Sequence, residues 1–173
     1  MLQIVTPRCK LRAMEPSDVE MLYIWENDPE IWRVGATTAP VSRARLEKFI
    51  VEQSYDIFAI RQMRLMVEVE GRAVGAVDIM DFDPQHMRFS LGILIYDNSD
   101  RGKGYAREAI EAIKEYGLNT LNLKQIWVEI DDFNTASIAL FESCGFERCG
   151  VMKDWICYAG EFHDVLRYQI ILR

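Results

Sequence analysis

The chain has 173 residues, half of them apolar, and a formal net charge of −7 from 27 acidic and 20 basic side chains. That length most simply makes one domain over residues 1–173, large enough to bury a core without staples. The acidic balance argues against nucleic acid or an anionic membrane as the main partner, and it is compatible with a cationic substrate such as an amine.

Cys9, Cys144, Cys149 and Cys157 form no CxxC pair, so they read as reduced thiols of a cytoplasmic protein. The start, Met1-Leu2-Gln3-Ile4-Val5-Thr6-Pro7-Arg8, lacks a signal-peptide layout. No apolar run approaches the roughly 20 residues that span a bilayer.

In chain order, Cys9 to Ala13 reads as a first strand. Ser17-Asp18-Val19-Glu20 reads as a capping box that starts a helix with Val19, Leu22 and Trp25 on one side, ended by Asp28-Pro29. Thr38 to Val41 is loop, and Leu46, Phe49 and Ile50 give a second helical stripe. Leu65 to Val69 alternates as a strand, Glu70-Gly71 turns, and Ala73 to Met80 is the hairpin partner. After a turn over Asp81–Gln85, Met87 to Tyr96 makes a third strand. A helix runs from about Gly104 to Leu118, with Ala106, Ala109, Ile110 and Ile113 on one face. Gln125 to Ile130 is a strand, and Asn134 to Cys144 a helix stopped by Gly145. Phe146 to Tyr158 and Phe162 to Leu172 are strands joined through Ala159-Gly160. A meander followed by a strand–helix–strand unit makes a mixed sheet with helices packed on it, in the α/β (α+β) class.

The stretch Arg101-Gly102-Lys103-Gly104-Tyr105-Ala106 lies between a strand and a helix. Glycines there let the backbone approach a ligand. Unpaired amides at a helix start, with the positive end of the macrodipole behind them, bind phosphate. Arg101, Lys103 and Arg107 add positive charge on an acidic chain. A P-loop is excluded, because Asp97 stands where its first Gly belongs and no Ser or Thr follows Lys103. A dinucleotide fingerprint is excluded by Arg107 in place of its third Gly or Ala. A structural turn with a glycine-rich helix entry is the bland alternative.

Arg101-x-x-Gly104-x-Ala106, after Leu91-Gly92-Ile93-Leu94-Ile95, resembles the acetyl-CoA pyrophosphate motif of the GNAT N-acetyltransferases. Downstream, Asn134-Thr135-Ala136-Ser137, then Phe141 and Gly145-Phe146, resembles that family's second landmark. The resemblance spans nearly the whole chain and is nearest the branch of ribosomal-protein N-terminal and spermidine or diamine acetyltransferases. It implies a mixed, mostly antiparallel sheet of six to seven strands flanked by about four helices.

The implied reaction is direct acetyl transfer from acetyl-CoA to a primary amine, either a polyamine or diamine or a protein N-terminus. The alternative is a catalytically silent acyl-CoA-binding regulatory module. The resemblance assigns the pantetheine arm to Ile93, Leu94, Ile95 and Tyr96. It assigns the pyrophosphate to Arg101, Gly102, Lys103, Gly104, Tyr105, Ala106 and Arg107, and the rest of the arm to Asn134, Ser137 and Phe141, with Phe141 facing the thioester. A strand amide near Leu94 would hold the carbonyl oxygen in the transition state. Phe141 and Ser90 stand where many relatives carry a Tyr acid and a Glu base. Ser137 and Asp78 are then the catalytic candidates, and Trp32 and Asp78 the substrate-binding ones. No metal is implied, and a homo-oligomer is open, as for some polyamine acetyltransferases.

Bland readings apply elsewhere. Glu26, Asp28 and Glu30 read as solvated, Cys144 as a packed thiol, and Met63, Met66, Met80 and Met87 as core filler. His86 and His163 lack ligand-like spacing.

Overall fold

Successive side chains of a strand point to opposite faces of a sheet, and this alternation builds two layers here. The computed structural model describes residues 4–32 and 39–173. Its strands are β1 (Ile4–Val5), β2 (Lys10–Ala13), β3 (Met63–Val69), β4 (Arg72–Asp83), β5 (Arg88–Ile95), β6 (Gln125–Asp131), β7 (Glu147–Tyr158) and β8 (Glu161–Ile171). They lie in the order β1-β2-β3-β4-β5-β6-β8-β7. Every neighbouring pair is antiparallel except β5 and β6.

The helices are α1 (Val19–Glu26), α2 (Pro29–Trp32), α3 (Arg43–Glu52), α4 (Ile57–Ile60), α5 (Tyr105–Asn119) and α6 (Thr135–Ser143). Val67, Val77, Ile79, Phe89 and Leu91 bury one face of the sheet with Ala109, Ile110 and Ile113 of α5. Met66, Ala73 and Ala76 bury the other face with Leu22 and Trp25 of α1 and with Leu46 and Ile50 of α3. A bulge in β4 opposite Val67 and Glu68 shifts the register, so that Ala73 and Ala76 face one layer while Val74 and Val77 face the other.

The mixed, mostly antiparallel α/β sheet is the expected one, with eight strands rather than six to seven. The additional strand, β1, is two residues long and pairs Ile4 with Leu11, too short to show a period. The extra helices, α2 and α4, are four-residue turns. The cap of the first helix also differs from the expected one at Ser17. Pro16 opens a 3-10 turn, Glu15 is its N-cap, and the Asp18 carboxylate accepts from the Glu15 amide at 2.8 Å. Arg12 holds that carboxylate at 2.8 and 2.9 Å, which fixes Asp18 inward. Of the loop expected over Thr38–Val41, Thr38 lies outside the described residues.

Candidate active site

Strand β5 is where the sheet opens. It pairs with β4 along its length, from Arg88 opposite Asp83 to Ile95 opposite Gly75. Its pairing with β6 covers only Arg88, Phe89 and Ser90. Beyond Ser90 the two strands part, and β6 continues against β8 alone. The main chain of Leu91 to Ile95 therefore presents hydrogen-bonding groups to a cleft on its β6 side, and buried backbone groups need partners. An extended ligand with amide groups fits that edge, in the manner of strand addition.

The cleft leads to the start of α5. Gly104 is its N-cap, with φ +88, and Gly102 has φ +74. Nothing lies within 4 Å of a Cβ added at Gly102, whereas one at Gly104 would stand 2.6 Å from Arg8 Nη1. Arg8 donates to the Lys103 carbonyl at 2.7 Å and to Glu108 Oε1 at 2.5 Å, which ties the loop to β2's approach. The first amides of a 15-residue helix thus open toward solvent behind a glycine turn, and this arrangement fits a pyrophosphate.

The basic side chains of the motif are occupied. Arg101 donates to the carbonyls of Ile95 and Tyr96 at 3.0 and 3.2 Å and to Asn98 at 2.7 Å. It staples the loop to the end of β5. Lys103 lies 3.3 Å from Asp100, which is 2% exposed and also held by Arg72. The bond from Arg72 outweighs burial and keeps the Asp100 carboxyl below its ordinary range. Arg107 donates to the Ser143 carbonyl at 3.1 Å. Main-chain amides are therefore available to a phosphate beside the exposed Lys103 and Arg107 side chains, while Arg101 serves as scaffold.

On the far side of the cleft, Asn134 caps α6 by accepting from the Ser137 amide at 3.2 Å. Phe141 lies further along the same helix. Its ring is 3% exposed and packs edge-on against Phe146, with centroids 5.1 Å apart. Hydrophobic burial draws it into the core. Cys144 is likewise buried, and burial pushes its thiol up, away from nucleophilic range.

Strands β3 and β4 border a cavity of about 480 Å³ between α3 and the sheet. Asp78 lines it, directly across from Gly92 of the open strand segment. Both Asp78 oxygens accept from Arg64, at 2.6 and 2.9 Å, and Arg64 also donates to Glu26 at 2.6 Å. Burial opposes the Arg64 charge, but the two carboxylates outweigh it and hold the guanidinium firmly protonated. Trp32 donates its indole N–H to the Glu26 carbonyl at 2.6 Å. The two predicted substrate residues, Trp32 and Asp78, are thus linked through Glu26, whose solvated reading is corrected here.

Beside the cavity, Ser90 Oγ donates to Asp81 Oδ2 at 3.1 Å. Asp81 sits at φ +49 in a second irregularity of β4, which turns its carboxylate back over β5. Tyr96, at the end of β5, stacks on Trp25 with centroids 5.2 Å apart and donates to Asp28 at 2.8 Å. That bond and burial raise the phenol above its ordinary range.

Met80 and Met87, read as core filler, are 40% and 44% exposed. Met80 instead lines the cavity above Gly92, and Met87 stands at a turn with φ +51. Among the described residues no group of three or more His, Cys, Asp and Glu could hold a metal ion.

Sequence comparison matches residues 8–147 to the acetyltransferase (GNAT) domain family. The uncharacterized N-acetyltransferase p20 of Bacillus licheniformis is 30% identical over 175 residues, covering 98% of this chain and 96% of that protein. The spermidine N(1)-acetyltransferase of Escherichia coli K12 is 26% identical, covering 93% of this chain and 84% of that one. The crystal structure of spermidine N-acetyltransferase from Vibrio cholerae, in complex with CoA and spermine, superposes with a TM-score of 0.86 at 25% identity, covering 96% of this chain and 97% of that one.

Proposed function

Because the chain belongs to the GNAT acetyltransferase family, we propose that it transfers an acetyl group from acetyl-CoA to a primary amine in a ternary complex, as one domain spanning residues 1–173. The observation that carries this reading is the parting of β5 from β6 after Ser90, aimed at the glycine-flanked start of α5. Coenzyme A, when bound, supplies the activated acetyl thioester, and the protein supplies position and polarity.

In this reading the amides of Gly102 to Ala106 receive the pyrophosphate, and the edge of Ile93 to Tyr96 pairs with the pantetheine arm. An amide near Leu94 polarises the carbonyl oxygen. The amine reaches the same segment from the cavity on the other face, past Asp78 and Gly92. Holding both partners across one strand supports the larger share of the acceleration.

The attacking amine must lose a proton. Both Asp78 oxygens are engaged by Arg64, so Asp78 is better suited to anchoring Arg64 than to taking that proton. Asp81, bonded to the buried Ser90, is the better placed carboxylate and stands in for the Glu that Ser90 replaces. The Ser137 hydroxyl, with no hydrogen-bond partner among the described residues, is available to the leaving sulfur. The reading places the enzyme in the cytoplasm, where it draws on the acetyl-CoA pool; among the described residues no helix is long and apolar enough to cross a membrane.

Thiol release from acetyl-CoA with a mixed panel of amines tests the function. Turnover with at least one amine is expected, and tight coenzyme A binding with no turnover on any of them rejects it. Asp81→Asn is expected to slow the single-turnover step by on the order of 100-fold, the usual scale for a positioned base. An unchanged step removes Asp81 from the mechanism.

A further inference from the structure

The net charge of the chain is −7, yet the charge of the acceptor cavity balances locally. Its ionisable lining among the described residues is Glu26 and Asp78 against Arg45 and Arg64, two carboxylates and two guanidinium groups. Both carboxylates already accept from Arg64. Neither is bonded to Arg45, which is exposed on α3 and extends into the same lining. The sequence of residues 33–38, Arg33-Val34-Gly35-Ala36-Thr37-Thr38, holds no carboxylate.

The remaining wall is largely apolar, with Val41, Leu46, Phe49, Met63 and Met80. The Phe49 ring lies under the Arg64 guanidinium at 5.3 Å. One polar group in the wall lacks a partner: Gln53 Nε2 is buried with no hydrogen-bond acceptor among the described residues, while its Oε1 accepts from the Arg64 amide at 2.8 Å.

We infer that this cavity takes an acceptor with a single amine on an uncharged, largely apolar body, and that it disfavours polyamines. The inference rests on the amine-acetyltransferase reading of the same site. One ammonium finds the electron-rich side of Glu26 and Asp78. Every further ammonium of a polyamine meets Arg45 and Arg64 at close range in a partly dry pocket, where like charges repel strongly. It also finds no uncommitted carboxylate in the lining to pair with, and a cation removed from water without a partner is disfavoured. A neutral body loses nothing by this arrangement, and it buries apolar surface against Phe49, Met63 and Met80. Specificity then comes as much from repelling the wrong acceptor as from holding the right one.

The test compares kcat/KM for alanyl-phenylalanine amide and for spermidine, with thiol release from acetyl-CoA as the readout. The dipeptide amide is expected to be preferred by about tenfold or more. Arg45→Glu, a change at an exposed helix position, is expected to move the ratio toward spermidine by about tenfold. A preference for spermidine in the unmodified protein overturns the inference and leaves amine acetylation standing. So does an Arg45→Glu ratio that does not move. Transfer to neither compound, nor to any other amine, overturns both readings together.

Discussion

The two halves of the cleft along β5 are made of different material. In the proposed reading the cofactor half is main chain: the open edge of Leu91–Ile95, the turn around Gly102 and Gly104, and the first amides of α5. Arg101 and Arg8 hold that backbone in place. The proposed acceptor half is side chain: Arg64 gripping Glu26 and Asp78, with Gln53, Phe49 and the methionines around it. A backbone site is specified by conformation and steric room, and it tolerates changes in side-chain chemistry. A side-chain site is specified by charge and shape, and small substitutions can redirect it. A fold built this way can keep one cofactor while its acceptor changes.

Three substitutions put that contrast at risk. The largest effect is expected from Gly75→Ala. A Cβ there would lie 2.1 Å from the Leu94 carbonyl oxygen, a main-chain atom that cannot swing aside. Either β4 or the open segment of β5 must shift, at a cost of about 3 kcal/mol by analogy with overpacked cores. Coenzyme A affinity measured by calorimetry should fall with it, and unchanged affinity would mean that the Leu94 segment is not part of the cofactor site.

Arg64→Met should come next. It leaves Glu26 and Asp78 facing each other across the cavity without their common cation. Because both are partly exposed, at 21% and 27%, the loss is put at about 2 kcal/mol, below that of a fully buried pair. Denaturant unfolding checks this. The contrast predicts a raised acceptor KM with coenzyme A affinity intact, so a joint loss of both would break it.

Gly104→Ala should be the mildest. The left-handed backbone costs about 1 kcal/mol for a residue with a Cβ, and the Arg8 guanidinium tip must move. Coenzyme A binding is expected to weaken about fivefold, with the preference among acceptors unchanged.

The same contrast explains what could be read from the chain before its shape. Arg101 to Ala106 and Asn134 to Ser137 are contiguous, and contiguous residues build turns and helix starts by local rules. The meander and the helix faces were legible because burial imposes a period. Arg64 left no such trace. Its partners Glu26 and Asp78 lie 38 and 14 positions away, and an isolated Arg in an alternating strand looks like any solvent-facing residue. Glu26 looked solvated for the same reason. The motif around Phe141 is equally silent on the edge-on packing of its ring against Phe146. The role of Asp81 depends on a strand irregularity that turns it onto Ser90, and no short pattern announces that.

The parting of β5 and β6 also bears on the protein between catalytic cycles. Sheets ordinarily keep their unpaired rims at the periphery, where charge, proline or short length protects them. Here such a rim lies in the middle of the sheet, with β4 on one side and a gap on the other. The amides along Leu91–Ile95 should therefore exchange with solvent deuterium faster than those of β3 and β4, and slow when coenzyme A fills the gap as a surrogate strand. A ligand that binds only the folded chain also raises its melting temperature in proportion to the logarithm of its concentration. The supply of acetyl-CoA would then set how firmly the centre of the sheet is closed, as well as how fast the enzyme works.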